Sequence, residues 1–313
     1  MITVYKVNSV EDAIIAAKDL TDVVSVEAEF GENYYGVKDG ASVELLHHGK
    51  HSENYPTAIS FYKKFPKLEY SFDNFIVSHI DIDTIFGIMW AAGFLKKTRI
   101  TIELSELIAE VDKKGFHWFI ENKLNDLDEK IKHKYLAIGK IISSWKFPNT
   151  NKGISDYSKV VHKLILKIKD IIIFDVPEEI IQENIDFLNN YEKNNLKNQE
   201  NAFIEDLSIP GLLLVYKSNS FLLGSYTYKN LKYPLIIQYN TGSNTISISS
   251  NDEKLTVELF GETGVQKPLI EFFGKDSGGH KLIGGSPRDF KLQDEYLEAF
   301  VKFLKRNYFN IVD

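Results

Sequence analysis

The chain has 313 residues, which at roughly 100–200 residues per domain implies two domains, and its 43% hydrophobic and 26% charged content excludes global disorder. It has no cysteine, which excludes disulfides, thiolate zinc sites, iron–sulfur clusters and a cysteine nucleophile; a metal would need His, Asp and Glu ligands, a set that suits Mn, Mg or Zn. The net charge of −7 argues against a long polynucleotide partner, while a local pocket can still take a small or short anionic ligand.

The opening residues lack a basic stretch followed by an apolar run, so no signal peptide is expected. No segment reaches the ~18 uninterrupted apolar residues of a spanning helix. The expected location is cytoplasmic, with no membrane partner.

In chain order, Ile2–Tyr5 suits a short strand, and Ser9 caps a helix to about Leu20. Val23–Phe30 alternates like a strand. Tyr34–Val37 and Ala41–Leu46 form a hairpin pattern around Asp39-Gly40. Thr57–Lys64 is a helix that ends near Phe65-Pro66. Phe75–Val77 is an apolar strand running into Ser78-His79-Ile80-Asp81-Ile82-Asp83, and a helix starts at Thr84. Polar residues thus sit at a strand's carboxyl end, where α/β sheets bind ligands. Ile100–Ile102 and Glu106–Val111 carry further order. Phe119–Ser144 and Tyr157–Ile173 are predicted helices, and Pro177 opens another. The polar, Asn-rich run from Glu178 to Leu207 suits a helical linker. Beyond Pro210-Gly211, Leu212–Tyr216, Phe221–Tyr228, Leu235–Tyr239, Thr245–Ser250 and Lys254–Phe260 have strand character, and helices follow near Lys267–Phe273 and Asp294–Asn307.

Five constellations could carry chemistry. In an extended segment His79, Asp81 and Asp83 face one way and could hold divalent ions; equally, Asp81 or Asp83 could cap the next helix. His47-His48-Gly49-Lys50-His51 could place two imidazoles on one centre if a strand ends there, or be a polar turn. Asp112 and His117 lie either side of Lys113-Lys114-Gly115. Glu27 and Glu29 alternate on one strand face, as ligands or as a solvated side. Finally, two glycine pairs, Gly278-Gly279 and Gly284-Gly285, bracket His280, with Arg288 close after. Glycines let backbone N–H groups approach an anion, to which His280 and Arg288 could add donors.

Ser277-Gly278-Gly279-His280-Lys281-Leu282-Ile283-Gly284-Gly285-Ser286 resembles the glycine-rich signature of the C-terminal domain associated with DHH phosphoesterases. Thr245–Ser250 resembles the strand before it, with Ser249 where arginine is usual. Val77–Gly87 is similar to the first DHH motif, which binds Mn or Mg. The Asp-His-His motif has its counterpart in Leu46-His47-His48, with Leu for Asp and in an earlier place, as in a divergent or circularly permuted relative.

The resemblance implies an N-terminal α/β domain with a central, mostly parallel sheet over 1–176, a helical linker over 177–209, and a smaller α+β substrate domain over 210–313. It implies a phosphoesterase using two Mn or Mg ions and an activated water on a small phosphate compound or short oligonucleotide. The expected metal ligands are His47, His48, His79, Asp81, Asp83 and Asp112, with His117 and Glu29 as further candidates; Glu29 and Asp112 would stand for the displaced carboxylates. Asp81, His48 and Asp112 are the expected catalytic groups. Gly278, Gly279, His280, Gly284, Gly285 and Arg288 are the expected substrate grip. A homodimer is compatible with this reading. A nucleotide-binding protein with a degenerate metal site, or a metal-dependent hydrolase of non-phosphate esters, stands as the alternative.

Overall fold

The computed structural model describes residues 2–31, 33–67, 71–145, 153–287 and 291–311. They form two units, one of Met1–Asp112 with Lys123–Asp186, the other of Lys113–Asn122 with Phe187–Asp313. The fold is α/β, with a mainly parallel sheet in the first unit and a second sheet in the other.

The strands up to residue 156 are β1 (Thr3–Lys6), β2 (Val23–Val26), β3 (Glu29–Phe30), β4 (Asn33–Tyr34), β5 (Val43–Leu45), β6 (Asn74–Val77) and β7 (Ser155–Asp156). Five of them build one sheet in the order β5-β2-β6-β1-β7, parallel except for the edge strand β7. Every residue of β2 is buried, as a parallel strand requires. Val26 pairs with Leu45 and Val77, and Val77 with Lys6. Four parallel strands therefore end in line, and Val7, Glu27, Leu46 and Ser78 leave the sheet at one edge.

The helices are α1 (Val10–Ala17), α2 (Thr57–Lys64), α3 (Ile82–Ala91), α4 (Arg99–Lys114), α5 (Phe116–Asn122), α6 (Glu129–Ser144), α7 (Ser158–Ile173) and α8 (Glu178–Ala202). Ser9, Asp81 and Asp128 cap α1, α3 and α6 through their side chains. From Asp83 to Ala91, α3 is entirely buried, which accounts for its apolar sequence. Among the described residues, no helix is long and apolar enough to cross a membrane.

Several expected elements differ. Val23–Phe30 is not one strand: it breaks at Glu27, whose φ is 48°. The hairpin about Asp39-Gly40 is absent. Asp39 ends a 3-10 turn that Gly40 closes at φ 111°, and β5 pairs in parallel with β2. At the end of the sheet, that pairing leaves Val43 and Leu45 of β5 buried. The helix after His79 starts at Ile82, because Asp81 takes the Thr84 amide, so His79, Asp81 and Asp83 do not share one extended stretch. Ile100–Val111 lies within the single helix α4. Phe119–Ser144 divides into α5 and α6, since Asp128 caps the second with amides of Lys130 and Ile131.

In the second unit the strands are β8 (Leu213–Ser218), β9 (Thr227–Tyr228), β10 (Leu231–Lys232), β11 (Leu235–Asn240), β12 (Thr245–Ser250), β13 (Gly278–Gly279) and β14 (Ile283–Gly285). Its main sheet runs β13-β14-β12-β11-β8 and is antiparallel except for β11 with β8. Helices α9 (Glu253–Phe260), α10 (Gln266–Phe273) and α11 (Glu295–Asn307) complete it. Phe260, Leu269 and Phe300 join Ile237, Ile246 and Ile248 in one core, and Tyr216, Tyr226 and Tyr233 join Leu214 and Ile236 in another. Two strand expectations fail here. Residues 221–226 form no strand, and 254–260 is helical. Asp252 caps α9 by accepting the Leu255 amide at 2.9 Å, and that start outweighs the β-branched Thr256 and Val257.

The contact of α2 with α3 is close at Gly87. A Cβ there would lie 2.2 Å from Thr57 Cγ2. Ala improves helix propensity by about 1 kcal/mol, but overpacking costs about 1–3 kcal/mol. Gly87→Ala is expected to lose about 1 kcal/mol in a denaturant titration; equal or higher stability would refute the packing argument.

Candidate metal centre

The sheet edge collects its polar residues from four places. Glu27 follows β2, His47 and His48 follow β5, His79 follows β6, and Asp81 and Asp83 sit at the start of α3. The two histidines reach one centre because β5 ends at Leu45 and a 3-10 turn begins at Gly49.

Glu27 is the hub, with 1% of its side chain exposed. Its Oε1 lies 3.2 Å from His47 Nε2. Its Oε2 lies 3.3 Å from His48 Nε2 and 2.8 Å from His79 Nε2. His47 Nε2 is also 3.1 Å from Asp83 Oδ2, and His79 Nε2 is 3.2 Å from Asp81 Oδ2. Asp83 is held from behind, accepting the amides of Thr57 and Ala58 at 2.8 Å each. These are unsatisfied first-turn donors of α2, a site that favours negative charge.

The groups shift one another's protonation. Burial alone would raise the Glu27 carboxyl, but the imidazoles around it, His79 foremost, hold it well below the ordinary carboxylate range. Burial disfavours a charged His79, yet Glu27 and Asp81 push it up to about 10. Burial likewise opposes the His47 imidazolium, and Asp83 and Glu27 overcome it, so His47 rises well above its usual value. For Asp83, burial, with Asp112 and Glu27 adding to it, outweighs the His47 contact and raises the carboxyl well above its usual value. Asp81 stays below its usual value: burial and Glu27 oppose this, while His79 and the Thr84 amide prevail. The same negative field attracts a cation.

Among the described residues of the first unit, two trios have ligand atoms that lie within 4.8 Å of one another: Glu27, His47 and Asp83; and Glu27, His48 and His79. They share Glu27, and each uses a different carboxylate oxygen. Imidazole nitrogen with carboxylate oxygen fits Mn or Zn, and Mg less well.

The structure therefore brings together His47, His48, His79, Asp81 and Asp83. Asp112, on α4, has its Oδ2 3.9 Å from His47 Nδ1, too far for a hydrogen bond but near enough for its charge to be felt at the ring. Glu29 stands beside the cluster. Its Oε2 accepts the amides of His47 and His48 at 3.0 Å each, and its Oε1 lies 2.7 Å from His51 Nδ1. It shapes the histidine turn. His117 lies on α5, and its side chain is outside the described residues, as is Arg288. Sequence reasoning left Glu27 as one of an alternating pair. Its position is set by the turn at φ 48°, for which the strand-like pattern held no signal.

In the second unit Gly278-Gly279 and Gly284-Gly285 pair across β13 and β14. A Cβ on Gly279 would lie 2.3 Å from Ile283 O, so the close pairing itself requires glycine. Gln266 Nε2 donates to Gly279 O at 2.9 Å, and the His280 amide donates to Ile283 O at 2.6 Å. His280 is 9% exposed and Ser249 is buried.

No protein-family model and no curated protein matches the sequence. Five chains of known structure match. A pGpG-specific phosphodiesterase, PggH, from Vibrio cholerae is 9% identical, with 97% of this chain and 98% of that chain covered and a TM-score of 0.33. An exopolyphosphatase-related protein from Bacteroides fragilis is 14% identical, with 94% and 75% covered and a TM-score of 0.28. An uncharacterized protein from Helicobacter pylori is 12% identical, with 96% and 88% covered and a TM-score of 0.18. Likenesses this distant assign neither family nor activity, and the functional reading rests on the residues of the centre.

Glu29 gives a direct test of the turn. Glu29→Ala leaves the His47 and His48 amides without their acceptor and is expected to cost about 3 kcal/mol in a denaturant titration. Glu29→Gln keeps a neutral acceptor and is expected to lose about half as much. Equal losses for the two would show that the carboxylate's contacts do not hold the turn.

Proposed function

We propose that the chain is a metal-dependent phosphoesterase of DHH-like type that hydrolyses a small or short nucleotide-type phosphoester. The supporting observation is the division of Glu27 between two ligand trios, His47 with Asp83 and His48 with His79. A carboxylate so placed suits two divalent ions held side by side, Mn in preference to Mg because imidazoles share the site. A purely structural reading is weaker, since buried ion-pair networks contribute little net stability and cost much when incomplete.

Bound divalent ions supply Lewis acidity and make a water acidic enough to attack phosphorus near neutral pH. The chain's own residues divide the remaining work. Glu27, His47 and Asp83, each 1% exposed, form the closed side. His48, His79 and Asp81, exposed by 28%, 25% and 41%, form the open side, where water and phosphate would enter. Asp81, which is outside both ligand trios, is proposed to take and return a proton there, while His48 serves as a ligand. Asp112 is proposed to add its negative charge to the closed side. The glycine-rich hairpin with His280, followed by Arg288, is the proposed phosphate-holding element of the second unit. The acidic net charge favours a small substrate over long nucleic acid.

Asp81→Asn separates chemistry from fold, because Asn caps helices about as well as Asp. The variant is expected to melt like the parent while Mn-dependent hydrolysis of bis(p-nitrophenyl) phosphate and short oligonucleotides falls by roughly 100-fold or more. Chelation should abolish the parent's activity and added Mn restore it. A purified protein that binds no divalent metal and hydrolyses none of these compounds would refute the proposal.

A further inference from the structure

Ser78 follows the last residue of β6, and its hydroxyl touches two members of the centre at once. It donates to the Glu27 carbonyl oxygen and lies 2.9 Å from His79 Nδ1. A hydroxyl carries one proton. That proton is spent on the carbonyl, which can only accept. Toward His79 the Ser78 oxygen is then an acceptor, so Nδ1 must carry the donated hydrogen. A neutral imidazole protonated at Nδ1 presents its lone pair at Nε2. Nε2 is the atom that faces Glu27 Oε2 at 2.8 Å and Asp81 Oδ2 at 3.2 Å.

A second observation concerns the backbone. Glu27 has φ 48°, in the left-handed region that a non-glycine residue seldom adopts. Three hydrogen bonds hold it there. Its amide donates to Leu45 O at 3.0 Å, its carbonyl accepts the Glu29 amide at 2.8 Å, and the same carbonyl accepts Ser78 Oγ. Only the last comes from a side chain.

We propose that Ser78 is a positioning residue of the metal centre: its one hydroxyl sets the tautomer of His79, so that Nε2 is the ligand atom, and pins the left-handed turn that carries Glu27 inward. This rests on the metal-centre reading above and deepens it.

The test uses the full chain, stripped with chelator, and Mn as the probe. By calorimetry Ser78→Ala should bind Mn about 10–100-fold more weakly than the parent, whereas Ser78→Thr, which keeps the hydroxyl, should stay within about 3-fold. One arm needs no metal: exchange of the Glu29 amide should quicken about 10-fold in Ser78→Ala and stay near the parent's rate in Ser78→Thr. In the zinc-loaded parent, imidazole nitrogen shifts should place the His79 proton on Nδ1. Mn binding within about 2-fold of the parent together with unchanged Glu29 exchange in Ser78→Ala would overturn the proposal, as would a His79 proton found on Nε2. If Ser78→Ala does not fold, Ser78→Cys decides, because a thiol is a weak donor; Mn binding by Cys as tight as by Ser would overturn it. Failure of the parent to bind Mn or zinc would instead strike the metal reading, and the exchange arm would still judge the contact of Ser78 with Glu27.

Discussion

A carboxylate taken out of water loses several kcal/mol of solvation unless opposite charge and hydrogen bonds replace it. Glu27 meets that demand with three imidazoles that arrive from the ends of two strands. One strand could not supply them, because adjacent side chains on a strand point to opposite faces; His47 and His48 both reach Glu27 because β5 ends before them. The solution lies in register. Val26, Leu45 and Val77 stand side by side, so the residues after them emerge at one level. A slip of one residue in β5 would carry both histidines away from Glu27. The requirement at the edge and the apolar pairing within the sheet therefore select the same register.

Asp83 extends the constraint into the helical layer. Its two oxygens accept the Thr57 and Ala58 amides, and one of them also meets His47. The start of α2 is thus fixed to the start of α3. The two helices can approach only because Gly87 leaves space for the Thr57 methyl. Packing in the core and the geometry of the centre are consequently one problem: a shift of α2 that relieved a clash at Gly87 would also move the amides that hold Asp83.

How much of this was legible in the sequence follows from how local each cause is. His79, Asp81 and Asp83 could be read because one strand-to-helix junction carries all three, although the helix begins at Ile82 through the Asp81 cap and not at Thr84. His47 and His48 could be read because Gly49 signals the strand's end. Between Glu27 and Glu29 the sequence reading put Glu29 forward as a ligand, whereas Glu27 is the one that meets the histidine and aspartate cluster. Both alternate along an apolar run, and only the left-handed turn at Glu27 sends one inward and the other beneath the histidine turn. That turn is stabilised by Leu45, Glu29 and Ser78, two of which are distant in sequence. The same logic explains α9. Thr256 and Val257 favour a strand locally, while Asp252 and Glu253 start a helix whose Phe260 fills the core of the second unit.

The supporting groups matter because ligands on loops are only as precise as what holds them. Glu29 holds the backbone of His47 and His48, the α2 amides hold Asp83, and Ser78 holds both Glu27 and His79. Asp81 has a cap of its own to satisfy, which leaves Oδ1 on the Thr84 amide and Oδ2 toward His79. The centre is thereby buried and hydrogen-bonded on its closed side and accessible at Asp81, His48 and His79. A stabilising ion-pair network has no need of that asymmetry. A site that must keep its charge fixed while admitting water and a ligand does need it, and the proposed function draws on that difference.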